Sequence, residues 1–279
     1  MAVSATASGA AGRVDGVDDW RSYDTVAELY EAIHAPRLAE PAVDLVRLAG
    51  AAPGSRVLDV GTGTGVAAAA AQEAGAAVVG LDEALGMLRV ARSRRPSLPL
   101  TAGRAIDLPF RDGAFDAVVA NFVVSHFTKY ETALHDMARV LRPGGTMAVS
   151  AWADGDDELT RTWLELVESV VPRRVLQSSI AKALPWRDRF SDRRALQEAL
   201  METGLRRVRT EVRRYRFVYG LEEYVEGLGT WTTGRFVRSM LGEAGFRSFL
   251  DRAKATFAER FADPVNDFRD VAFAVGTRS

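Results

Sequence analysis

The sequence predicts an α/β fold, a doubly wound and mostly parallel sheet carrying helical additions, and three observations lead there. Arg56-Val57-Leu58-Asp59-Val60 is short, apolar and rich in branched residues, as a strand buried on both faces of a parallel sheet must be. It runs straight into Gly61-Thr62-Gly63-Thr64-Gly65 and then into an Ala-rich helical stretch from Val66, so strand, tight turn and helix follow in order. A second apolar strand, Ala76 to Asp82, comes next and ends in an acid 21 residues after Gly61.

The glycine turn carries the first functional signal. Glycine removes the side chains that would keep a ligand from the backbone, and a helix start presents unpaired N–H groups with a partial positive charge. This is a site for a nucleotide-type cofactor. A dinucleotide fingerprint wants Gly-x-Gly-x-x-Gly, but the sixth position here is Val66 and the loop reads Gly-x-Gly-x-Gly. Asp59 stands two residues ahead of the first glycine. With this spacing the chain resembles the class I S-adenosylmethionine-dependent methyltransferases, in the small-molecule, quinone-biosynthesis branch, and the resemblance implies a Rossmann-like sheet of seven strands.

The resemblance extends from Val57 to Trp152. Asp82-Glu83-Ala84-Leu85-Gly86-Met87-Leu88 is similar to the family's acid-led run into the next helix. Gly103-Arg104-Ala105-Ile106-Asp107-Leu108-Pro109-Phe110 resembles the stretch after the third strand. Gly113 to Asn121 fits the fourth strand, and Leu141-Arg142-Pro143-Gly144-Gly145 leads into a fifth strand ending at Trp152. The family's S-adenosyl-L-methionine contacts then fall on Tyr23, Asp59, Gly61, Thr62, Gly63, Gly65, Asp82, Glu83, Met87, Arg104, Ala105 and Asn121, with S-adenosyl-L-homocysteine as product. In this scheme Asp82 accepts from the ribose diol and Met87 covers the adenine. Relatives often have Asp where Arg104 stands, a departure that leaves the contact to the backbone of Ala105. Structural alternatives stay open: the glycines shape a turn, Asp59 ties the loop together, and Met87 is core.

Composition sets the limits. At 279 residues and 47% hydrophobic, the chain has room for one domain of roughly 150–200 residues plus attached helices. A net charge of −1 gives no global attraction to nucleic acid or membrane. The absence of cysteine excludes disulfides and thiolate chemistry, and His34, His126 and His135 lack metal-ligand spacing, so no metal is expected. No stretch approaches the roughly 18 apolar residues of a membrane span. Residues 1–19 read as a flexible tail and not a signal peptide, which makes a cytoplasmic location the expectation.

Around the core lie three additions. Residues 20–50 read as two helices broken near Pro36 and Pro41, a lid in which Tyr23 and Tyr30 are the closing aromatics. Residues 154–190 read as a helical cap, with Leu159, Trp163, Leu166, Val167 and Val170 on one face. The core, 51–153, resumes over 191–279. It includes a helix from Ser191 or Asp192 to Thr203, strands over Leu205 to Val218 and Asp270 to Gly276, and a helical insertion at about 219–266.

Twelve arginines and Lys182 face five acids between Arg173 and Arg216, a pattern read as a solvated cap face and a protected edge strand. The fourth strand exits through Asn121-Phe122-Val123-Val124, unlike the Asn/Asp-Pro-Pro-aromatic of enzymes that methylate adenine amines. The expectation is therefore in-line methyl transfer to a small molecule, with His126 as the catalytic candidate and Asn121, Tyr23 and Trp152 lining the reaction site. A homodimer is the candidate assembly, without nucleic acid or membrane as partner. The alternatives are a cyclase or rearrangement enzyme on the same fold, a nicotinamide oxidoreductase and a non-catalytic binding module.

Overall fold

In the computed structural model the described residues are 21–279 apart from Asp154 and Asp156, so the tail expected at 1–19 lies outside them, as do Trp20 and those two cap residues. Two helices, α1 (Ala27–Ile33) and α2 (Ala35–Leu48), lead into the sheet. Their junction is at His34, not at the prolines. Pro36 occupies the first turn of α2, where a missing N–H costs nothing. Pro41 lies inside α2, contrary to expectation. It faces the core beside Leu38, Ala42 and Leu45, and this burial outweighs the lost hydrogen bond.

The core then alternates: β1 (Arg56–Val60), α3 (Val66–Glu73), β2 (Ala77–Asp82), α4 (Leu85–Arg94), β3 (Leu100–Ala102), β4 (Phe115–Asn121), a 3-10 turn at Val124–His126, α5 (Tyr130–Val140) and β5 (Leu141–Trp152). Four helices follow, α6 (Glu158–Glu168), α7 (Arg173–Ala183), α8 (Arg187–Phe190) and α9 (Arg193–Glu202), the last of which packs against the sheet. Asp192 caps α9 by accepting from the Arg194 N–H. The chain closes with β6 (Arg206–Tyr219), α10 (Leu221–Thr230), α11 (Thr232–Arg260) and β7 (Val265–Thr277). The insertion expected at about 219–266 thus holds two helices, the longer of which, α11, is bent at Gly242, whose φ is +67°.

Seven strands form one sheet in the order β3-β2-β1-β4-β5-β7-β6. The first five are parallel, and β7 is antiparallel to both β5 and β6. Neighbouring residues of each central strand feed opposite layers. Val57, Ala117, Val119 and Phe273 join α2, α3 and the insertion helices on one face. Leu58, Val118, Ala120 and Ala272 join α5 and α9 on the other. Burial on both faces explains the unbroken apolar character of β1 and β4. Strand order reverses between β1 and β4, so the carboxyl ends there open a crevice in which such folds bind ligands.

The insertion is bound to the entry helices. Arg37 donates to both oxygens of Glu223 at 2.9 and 2.6 Å and stacks on Tyr219. His34 Nε2 meets Thr230 Oγ1 at 2.9 Å, and since that hydroxyl donates to the Gly227 carbonyl, Nε2 carries the proton. On the outer strand, Arg213 pairs with Asp44, and Arg214 makes a two-pronged contact with Asp270. Among the described residues no helix is long and apolar enough to cross a membrane, and no cluster of three His, Cys, Asp or Glu is placed to hold a metal.

Candidate functional site

The glycine loop is pinned to the neighbouring strand: the N–H groups of Gly61 and Thr62 both donate to the Leu81 carbonyl. At Gly61, φ is +71° and an added Cβ would lie 2.5 Å from a methyl of Val123, so only glycine lets the loop pack against the exit of β4. Gly63 also has positive φ, +56°, but nothing lies within 4 Å of where its Cβ would be. One glycine serves close packing, and the other keeps an open wall.

Asp82, at the end of β2, accepts from the Gly63 N–H through Oδ2 at 2.7 Å and from the Ala84 N–H through Oδ1 at 2.8 Å. Burial raises its pKa against these bonds. Each oxygen keeps a second acceptor site. Asp59 sits behind the loop, fully buried, accepting from the Thr62 hydroxyl at 2.7 Å, and burial pushes its pKa up to about 7. Its geometry is that of a loop tie.

A cavity of about 680 Å³ opens over the carboxyl ends of β1, β2 and β4. Of the residues expected at the site it brings together Tyr23, Gly61, Thr62, Gly63, Asp82, Glu83, Met87, Arg104, Ala105, Asn121 and His126. Asp59 and Gly65 do not line it. Gly65 instead forms the N-cap of α3, with its missing Cβ against Leu98 and Arg95. Met87 is 4% exposed and packs with Tyr23 and Tyr30, so it is core and cavity wall at once. Arg104, largely exposed, faces Glu83 at 3.8 Å.

On the other side, Phe122 and Trp152 stack with ring centroids 4.2 Å apart, and Trp231 meets Trp152 edge-on. Phe122 has φ +56°, an unusual conformation for an aromatic residue. Its N–H donates to Ser150 Oγ, which in turn donates to Asn121 Oδ1. Trp186 packs instead against Tyr130, away from the cavity. His126 faces the cavity beside Tyr23, ring centroids 5.8 Å apart. Burial and then the Arg235 charge lower its pKa from 6.5 to about 4, so it is neutral at pH 7. His34 is held by the insertion and does not reach the cavity, while His135 is exposed.

Several supporting residues escaped sequence reasoning. Asp24 Oδ1 accepts from the Gly86 N–H at 2.5 Å, and a Cβ on Gly86 would lie 2.6 Å from the Asp24 carbonyl oxygen. Arg95 donates to the Thr64 carbonyl and to Glu31, linking the glycine loop to α1. Arg235 stacks on Tyr23 at 3.8 Å. The only available signals were Asp24 following Tyr23 and a glycine inside a helical pattern, since the other pairings join distant segments.

Residues 58–149 match the Methyltransf_11 model, described as a methyltransferase domain. That segment, about a third of the chain, is therefore similar to a methyltransferase domain. Over 131 residues the chain is 40% identical to a demethylmenaquinone methyltransferase of Renibacterium salmoninarum, covering 47% of this chain and 54% of that protein. A demethylmenaquinone methyltransferase of Streptomyces avermitilis is 38% identical over 131 residues, 46% of this chain and 57% of that one. The chain thus spans about half the length of the curated relatives it matches. The fold of phosphoethanolamine N-methyltransferase 2 from Haemonchus contortus, solved with S-adenosyl-L-methionine, superposes with a TM-score of 0.59 at 18% identity, covering 95% of this chain and 61% of that one. The matched segment includes the glycine loop, Asp82, Asn121 and His126, while Tyr23 and the insertion lie outside it.

Proposed function

We propose that this protein is an S-adenosyl-L-methionine-dependent methyltransferase acting on a small molecule by in-line methyl transfer. The observation that carries the reading is the meeting, in one cavity, of an open wall at Gly63 with the Asp82 carboxylate. The residues fit the donor. Asp82 has acceptor sites left for a ribose diol, the three acids lining the cavity, Asp24, Asp82 and Glu83, suit a cation, and Met87 and Ala105 supply apolar walls for a base. When bound, S-adenosyl-L-methionine supplies a methyl carbon activated by its positive sulfur. The chain's own work is then alignment and exclusion of water: Tyr23 and Tyr30 close one side, and Phe122 and Trp152 hold the acceptor. His126, neutral and facing the cavity, takes a proton from the acceptor where one is released.

The two demethylmenaquinone methyltransferases support a small-molecule acceptor in the quinone-biosynthesis branch. The same reading takes the protein as cytoplasmic, with a homodimer as its candidate assembly and no nucleic-acid partner. Helices α1, α2 and α6 to α8 act in it as lid and cap.

Calorimetric titration with S-adenosyl-L-homocysteine and, separately, with NAD tests the proposal, which requires micromolar affinity for the first alone. Gly63→Val fills the open wall and should abolish that affinity, while Asp82→Ala should weaken it strongly. Normal binding by Gly63→Val overturns the placement. Turnover yielding a product of unchanged mass, without S-adenosyl-L-homocysteine, would favour cyclisation instead.

A further inference from the structure

Charge is unevenly distributed around the cavity. The acids in its lining, Asp24, Asp82 and Glu83, all lie on the side of the glycine loop and the end of β2, and Arg104 on that side faces Glu83. Among the described residues, the opposite side, formed by the exits of β4 and β5 and by the cap, contributes no acid to the lining. It holds the stacked Phe122 and Trp152 rings, neutral His126, and two cations of the cap, Lys182 in the last turn of α7 and Arg187 at the start of α8. Both cations are exposed at the cavity mouth, and α8 packs against the turn that carries His126. Among the described residues Arg187 pairs with its neighbour Asp188, itself 91% exposed, a contact too solvated to neutralise it for a ligand.

From this arrangement we infer that the acceptor is a planar aromatic acid, its ring against Phe122 and Trp152 and its carboxylate toward Lys182 and Arg187. The inference rests on the methyltransferase reading, which assigns the acidic side to the donor. Flat aromatic walls select a flat apolar body, and Arg187 matches a carboxylate through its planar pair of donors. A protonated amine would meet two cap cations and a positively charged donor, with no acid among the described lining residues on its own side. An anion would be drawn in by the same charges.

The test uses the full chain, first saturated with S-adenosyl-L-homocysteine. Failure of that first titration would count against the methyltransferase reading itself. The complex is then titrated with two matched pairs, indole-2-carboxylate against indole-2-carboxamide and benzoate against benzamide. The acids should bind about tenfold tighter than the amides at low salt, and the advantage should shrink as salt rises. The double variant Lys182→Met, Arg187→Met should lose that preference while binding the amides as before. Equal affinity of acids and amides, binding of neither, or a preference that survives in the double variant would overturn the inference.

Discussion

Asp59 and Asp82 are carboxylates on adjacent strands, and their partners separate their roles. Asp82 is reached from the cavity, whereas Asp59 is enclosed and bonded to Thr62. Sequence reasoning left Asp59 as either tie or ligand contact, because both roles want an acid at that spacing. Only burial distinguishes them. Asp59→Asn keeps an acceptor for the Thr62 hydroxyl and should melt within about 1 kcal/mol of the parent, while Asp59→Ala orphans that buried hydroxyl and should cost about 1–3 kcal/mol in urea unfolding. The pH dependence has a definite sign. With its folded pKa raised from 3.8 to about 7, Asp59 weakens the fold as pH rises through that window, so Asp59→Asn should compare better with the parent at pH 8 than at pH 5.

At the scale of elements, the strands and their turns were legible because burial on both faces leaves a continuous apolar run, and the bend between α1 and α2 was not. Prolines signal a break, but the packing of Leu38, Ala42 and Leu45 held α2 together across Pro41. The clasp between Asp24 and Gly86 was equally hidden, since it joins segments 62 residues apart. Gly86→Ala tests it. Alanine favours helix α4 by about 1 kcal/mol over glycine, yet its Cβ collides with the Asp24 backbone. The collision should outweigh the helix gain, so thermal stability should fall modestly while affinity for S-adenosyl-L-homocysteine falls about tenfold, as read by calorimetry. Unchanged affinity would show that the clasp does not position the segment carrying Tyr23 at the cavity.

Across the whole molecule, the entry helices and the insertion meet through His34, whose pKa burial lowers from 6.5 to about 4. The unfolded chain binds that proton more readily between these values, so stability from this group is present above pH 6.5 and lost as pH falls toward 4. His34→Gln should therefore destabilise the protein more at pH 7 than at pH 4.5, by about 2 kcal/mol in denaturant unfolding. The sequence by itself determined the central sheet, the glycine loop and the acid after β2, because strand burial and backbone approach to a ligand are local demands written in contiguous residues. The tertiary structure alone decided which glycine opens on the cavity and which packs against Val123, where the cap cations sit, and that Arg95 and Arg235 tie separate elements together. Such pairings depend on distances between remote segments, and residue spacing along the chain carries no record of them.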